Sequence, residues 1–159
     1  MSLFETTALA ASGVAPDTAL AKVLESRAGI FEMTDLTEMA VLRPREPGSW
    51  PHALRAALAA RIARLNDEEA LAQRYSAEKG EFAALADPKN DGVTEGYGAV
   101  ISFMDKVAAR TREVAAADIS ALQAAGVSDA DIVRLAELNA FLAYQLRVIA
   151  GLRLIGGTG

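Results

Sequence analysis

Cysteine is absent from all 159 residues. That single absence removes disulfides, thiolate metal sites, cysteine nucleophiles and thiol redox chemistry. Histidine occurs once, as His52, so a site built on several imidazoles is excluded and no metal or cofactor is expected. Aromatic residues make up only 6% of the chain against 52% hydrophobic in all, which leaves the core to aliphatic side chains and alanine. Lys and Arg number 16 against 21 Asp and Glu, a formal charge of −5. A phosphate backbone calls for a surplus of cations, so no nucleic-acid partner is expected. No 18 apolar residues follow one another, and the N-terminal stretch carries Glu5 rather than a basic run before an apolar one. Neither a membrane span nor a secretory leader is expected, and the expected location is cytoplasmic.

What the chain has in abundance is alanine, about a fifth of its residues. Alanine is the strongest helix former, and no segment alternates apolar and polar residues between turn signals. The expected class is all-α, in one domain over 1–159 with an N-terminal helical arm over 1–48. Asp17 is placed to cap a helix over 16–27 that Gly29 ends, and Asp35 with Glu38 has capping-box spacing for a short helix ending at Leu42. Prolines and Gly48 make 43–48 a loop. Ser49 and Pro51 then open a helix whose stripe is Leu54, Leu58, Ile62 and Leu65, with Trp50 as an apolar anchor at its entry. Asn66 is placed to cap the next helix, and Gly80 to end it. After a turn-rich stretch over 87–92, Tyr97, Val100, Ile101, Met104 and Val107 predict a long helix over 94–116. A short helix over 118–125 stops at Gly126. The last helix is capped by Ser128 and runs to about Leu152. It carries no charge between Glu137 and Arg147, so it belongs inside the bundle or at a subunit contact. Met33, Met39 and Met104 read as core filler.

The stretch His52–Gly80, HALRAALAARIARLNDEEALAQRYSAEKG, resembles the core of the alkylhydroperoxidase D-like and carboxymuconolactone decarboxylase superfamily. The segment Asp118–Leu154, with LQAAGVSDADIVRL near its start, is similar to that family's closing helix pair. The resemblance implies a helical bundle that forms a homo-oligomer, a trimer or hexamer, and it admits a cysteine-bearing relative as partner. It also shows what has been replaced. The family's two cysteines fall at Glu68 and Leu71, its histidine at Tyr75 and its relay glutamate at Ala56. A thiol peroxidase needs an attacking thiolate, a resolving thiol and groups that shuttle protons; none of these survives here.

Two functions follow. One is a catalytically silent, non-redox protein, an oligomeric scaffold or a binder of a small ligand or partner. The other is a non-thiol enzyme with acid–base chemistry like the family's decarboxylase branch. In that case Glu68 would be the base, Tyr75 the acid and an arginine the substrate clamp. Glu68, Leu71 and Tyr75 have the spacing of one helical face and make a candidate pocket, with His52 and Arg147 as further candidates. Each also has a plain structural role. Glu68 and Glu69 suit a helix first turn. His52 suits a surface or subunit contact. Tyr144, Gln145 and Arg147 suit polar contacts within the bundle or between subunits. Phosphate-loop, Gly-x-Ser-x-Gly, His-Glu-x-x-His and EF-hand patterns are all missing.

Overall fold

The computed structural model describes residues 2–157, and these are all-helical, with no strand among them. Eight α-helices follow in order: α1 (Thr7–Ser12), α2 (Ala19–Glu25), α3 (Ala28–Leu42), α4 (His52–Leu65), α5 (Glu69–Ser76), α6 (Gly98–Ala109), α7 (Ala116–Ala124) and α8 (Asp129–Gly156). Short 3-10 segments lie at Leu3–Glu5, Gly80–Ala86 and Thr111–Glu113.

Helix α4 is the axis of the molecule. Leu54, Leu58 and Ile62 form the expected stripe, but the burial is continuous from Leu54 to Ala63. The alanines between them present so little bulk that α3, α5, α6, α8 and the segment Gly80–Ala86 all pack on this one helix. Two arginines sit within that buried run, Arg55 at 3% exposure and Arg61 at 1%. Each is held by backbone carbonyls. Arg55 donates to Val41, Pro47 and Trp50, which fastens the loop between α3 and α4. Desolvation pulls the Arg55 guanidinium below its ordinary pKa. Arg61 donates to the carbonyls of Leu85, Asp87, Pro88 and Asn90, and grips Asp105 of α6 with two bonds of 2.6 Å.

Several helix ends differ from the sequence expectation, and each difference has a local cause. Thr18, not Asp17, caps α2, its hydroxyl accepting from the Ala21 amide. Helix α3 starts at Ala28, so Gly29 lies in its first turn rather than ending the helix before it. Asp35 and Glu38 are therefore mid-helix. Asp35 instead caps a different helix from across the fold, accepting from the Thr7 amide at the start of α1. Ser49 leaves the cap of α4 to Pro51 and turns its hydroxyl to Asp131, 2.7 Å away. Asn66 does not cap α5: its amide donates to Ile62 and closes α4, while Asp67 makes the bend with a left-handed φ of 57°. Gly80 opens a 3-10 segment rather than ending α5. The helix expected over 94–116 is shorter at both ends: the Gly96 and Tyr97 amides turn back to Val93 and Gly92, with Gly96 left-handed at φ 81°, and a 3-10 turn over Thr111–Glu113 follows its last residue, Ala109. Met104 is core, as expected, but Met33 and Met39 are 68% and 47% exposed.

The Ser128 cap of α8 is present, its hydroxyl accepting from the Asp131 amide. Asp131 also anchors the loop before α4. It accepts from the Ser49 amide and hydroxyl, from Ser128 and from Arg134, while its carbonyl takes the Trp50 indole. Burial raises the carboxyl's pKa, but these donors and the Arg134 charge outweigh it and leave the group below its usual value. Gly48 passes directly against this cluster with φ of +64°, and a Cβ there would collide with Asp131 and Arg134. Gly48→Ala is expected to lower stability by about 1–3 kcal/mol, read as a reduced urea midpoint at unchanged slope.

By length and composition α8 is long and apolar enough to cross a membrane, with a window of mean hydropathy 1.3. No uninterrupted apolar run of that length exists because Glu137, Asn139, Gln145 and Arg147 all fall within the helix. Buried Asp131, Asn139 and Gln145, and packing against α1, α3, α4, α6 and α7, are features of a helix built into a protein core.

Candidate functional site

Helices α3, α4 and α5 meet around a cavity of about 310 Å³. Helix α3 lines it with Asp35, Glu38, Met39 and Leu42, the i, i+3, i+4, i+7 face of that helix. Helix α4 supplies His52 and Ala56, one turn apart. From α5 and just beyond come Arg74, Tyr75 and Glu78, and Thr7 and Arg43 complete the wall.

The floor is a closed polar network around Glu38, which is 8% exposed. Its Oε1 accepts from the Thr7 hydroxyl at 3.0 Å, and its Oε2 from the Gln145 amide at 2.7 Å. The Tyr75 hydroxyl lies 2.5 Å from Gln145 Oε1 and 3.1 Å from Glu38 Oε2, so one phenolic proton faces two acceptors. Burial first, and then the charge of Glu38, drive the Tyr75 phenol far above its ordinary value of 10.0. Held that way, Tyr75 is a fixed hydrogen-bond donor; a general acid needs a pKa near the working pH. No buried side-chain nitrogen or oxygen among the described residues lacks a partner.

The rim is less committed. Arg43 and Glu78 form a tight ion pair, which raises the Arg43 pKa and lowers that of Glu78. Arg74 is exposed and has no ion-pair partner among the described residues. Asp35 uses one carboxylate oxygen on the Thr7 amide and leaves the other open. His52 Nε2 lies 2.9 Å from the Pro44 carbonyl. A carbonyl only accepts, so Nε2 carries the proton, and Nδ1 of the neutral ring is left as an acceptor.

Of the residues marked from the sequence, the fold brings Ala56, Tyr75 and His52 to this one cavity. Glu68 and Arg147 line a second one of about 380 Å³, between α4, α6 and α8. Leu71 lines neither and is fully buried in the core. Glu68, Leu71 and Tyr75 therefore do not share a pocket. The reason is local: Glu68 stands ahead of the first turn of α5 in a non-helical conformation, so helical spacing does not carry its side chain to the Tyr75 side. Its carboxylate is clamped by Arg153 with bonds of 2.5 and 2.8 Å, and Arg153 also donates to the Ala11 carbonyl. That pairing raises the Arg153 pKa. Glu69 does occupy the first turn of α5, as its acidity suits.

Gln145 finds its partners in Glu38 and Tyr75. Arg147 points outward and donates only to the Ala143 carbonyl, and Tyr144 pairs its hydroxyl with Thr34. Sequence reasoning missed Asp35 and Arg74 as lining residues and, above all, Glu38 at the centre. A signal for it exists: Phe31, Thr34, Glu38 and Leu42 form the buried stripe of α3, and a glutamate within such a stripe marks a buried polar centre.

Compared with known proteins, the chain matches no family model, no curated protein and no solved structure.

Proposed function

We propose that this chain is a non-redox relative of the alkylhydroperoxidase D-like and carboxymuconolactone decarboxylase proteins. In this reading it binds a small amino or hydroxy acid in the cavity between α3, α4 and α5. The observation that carries the reading is the cavity itself. Its walls include Ala56 and Tyr75, the positions that the resemblance gives to the family's glutamate and histidine. Its volume stands at the low end of small-molecule sites, roughly 300–1,000 Å³. The free groups set the ligand class. Arg74 suits a carboxylate, while the open oxygen of Asp35 and Nδ1 of His52 suit a donor elsewhere on the same molecule. With no cysteine in the chain, the peroxidase step has no nucleophile.

Titration calorimetry against a panel of amino and hydroxy acids tests this. At least one member is expected to bind and to raise the unfolding temperature, with about 2.7 kcal/mol of stabilisation at a hundredfold excess over Kd. Arg74→Ala should weaken that binding at least about tenfold, and Ala56→Phe should abolish it by filling the cavity. A panel without a single binder, or binding that survives Ala56→Phe, sinks the reading. Hydroperoxide reduction by chelator-treated protein would sink its non-redox half.

A second reading, acid–base catalysis without thiols, is favoured by one observation, the free Nδ1 of His52 at the cavity wall. The base would then be His52. Glu68 is locked to Arg153, and Tyr75 is held protonated.

A further inference from the structure

Helix α8 leaves one face uncovered. Val133, Glu137, Ala140, Tyr144 and Arg147 lie exposed on it and half-buried Gly151 continues the line, separated by alternating steps of four and three residues. This is the spacing of a seam between two helices. Val133 and Tyr144 are 54% and 43% exposed, large values for apolar side chains on a core helix. On one flank α3 widens the apolar surface with Ile30 and Met33, which lie beside Tyr144 and are exposed by 50% and 68%.

The order of residues along the seam is what identifies its occupant. Glu137 and Arg147 stand five residues before and after Leu142, Ala140 and Tyr144 two residues, Val133 and Gly151 nine. We propose that α8 pairs with α8 of a second copy of this chain, antiparallel, about a two-fold axis level with Leu142. In that arrangement Glu137 meets Arg147 of the other copy, twice. Tyr144 lies over Ala140, and Val133 over Gly151, so that each large side chain faces a small one. Neither Glu137 nor Arg147 has an oppositely charged partner within the described residues of its own chain. A parallel pair would instead set Glu137 against Glu137 and Arg147 against Arg147. The charges thus select the antiparallel form, and a self-complementary patch is what a two-fold dimer requires. Alternating four and three steps give the shallow, left-handed crossing of a coiled coil, at which alanine and glycine permit close approach.

This inference is independent of the ligand reading, since none of its residues lines the cavity between α3, α4 and α5. Sedimentation equilibrium of the full chain tests it. The wild type is expected to be a dimer or an even-numbered assembly of dimers. Glu137→Arg and Arg147→Glu should each weaken association at least about tenfold, since each creates two like-charge contacts. The double variant E137R/R147E should restore association, because it reverses both partners of each pair. Restoration also shows that loss in the single variants is not misfolding. A monomeric wild type, a trimer, association indifferent to the single reversals, or a double variant as weak as either single one overturns the proposal.

Discussion

Replacing Arg61 by alanine is expected to cost about 3–5 kcal/mol, lowering the unfolding temperature by roughly 10 °C. Few side chains in the molecule have so much to lose. Arg61 is 1% exposed, and its guanidinium serves four backbone carbonyls and both oxygens of Asp105. Alanine would leave those carbonyls and a half-buried carboxylate without their donor, and would leave a void in the centre of α4. Lysine should recover only a small part. It offers three donors on a point charge, where the site uses the planar fork of arginine to grip Asp105 with one edge and the 85–90 carbonyls with the rest. Thermal and urea unfolding of R61A and R61K check both statements. A lysine variant as stable as wild type would mean that charge, not geometry, is what the site needs.

Glu38→Ala is expected to cost about 2–4 kcal/mol, because the Thr7 hydroxyl and the Gln145 amide lose their acceptor inside the protein. Glu38→Gln keeps the shape and one acceptor, and should cost less. The same network is expected to make stability fall at alkaline pH. The folded-state pKa of Tyr75 lies above its unfolded value of 10.0, so its contribution is complete below pH 10. Above that pH the unfolded chain releases the phenolic proton first. Stability should then fall by about 1.4 kcal/mol per pH unit until the folded-state value is reached. Tyr75→Phe should lack this component of the alkaline loss, at a cost near neutrality of about 1–3 kcal/mol for the unpaired Gln145 carbonyl. Parallel alkaline limbs in wild type and Y75F would show that the phenol is not the group responsible.

The helical class and the stripe of α4 are legible in the sequence because each rests on local information: alanine content, the spacing of Leu54, Leu58 and Ile62, and the Ser128 cap. The ends of α2, α3 and α6 are not, because they depend on partners distant in the chain or on competing side chains and turns. Gly29 looks like a stop, yet α3 runs through it. Asp35 looks like the cap of its own helix, yet it serves α1, 28 residues away. The candidate site divides in the same manner. Tyr75, His52 and Ala56 are picked out by position within two consecutive helices, and the cavity joins them. Its central acid, Glu38, stands in the buried stripe of α3, but the partner that fixes its role, Gln145, lies 107 residues off, and no local pattern joins the two. Glu68 shows the converse: a face drawn on a helical wheel has no meaning for a residue that stands just outside the helix.

Helix α8 touches α1, α3, α4, α6 and α7, and is the last of these to be synthesised. Until it leaves the ribosome, α4 lacks one of the elements that cover it, Glu38 lacks Gln145, and the N-terminal segment lacks the arginine that binds Ala11. A chain that still lacks α8 therefore keeps the apolar surface that this helix covers on α1, α3, α4 and α6 open to water.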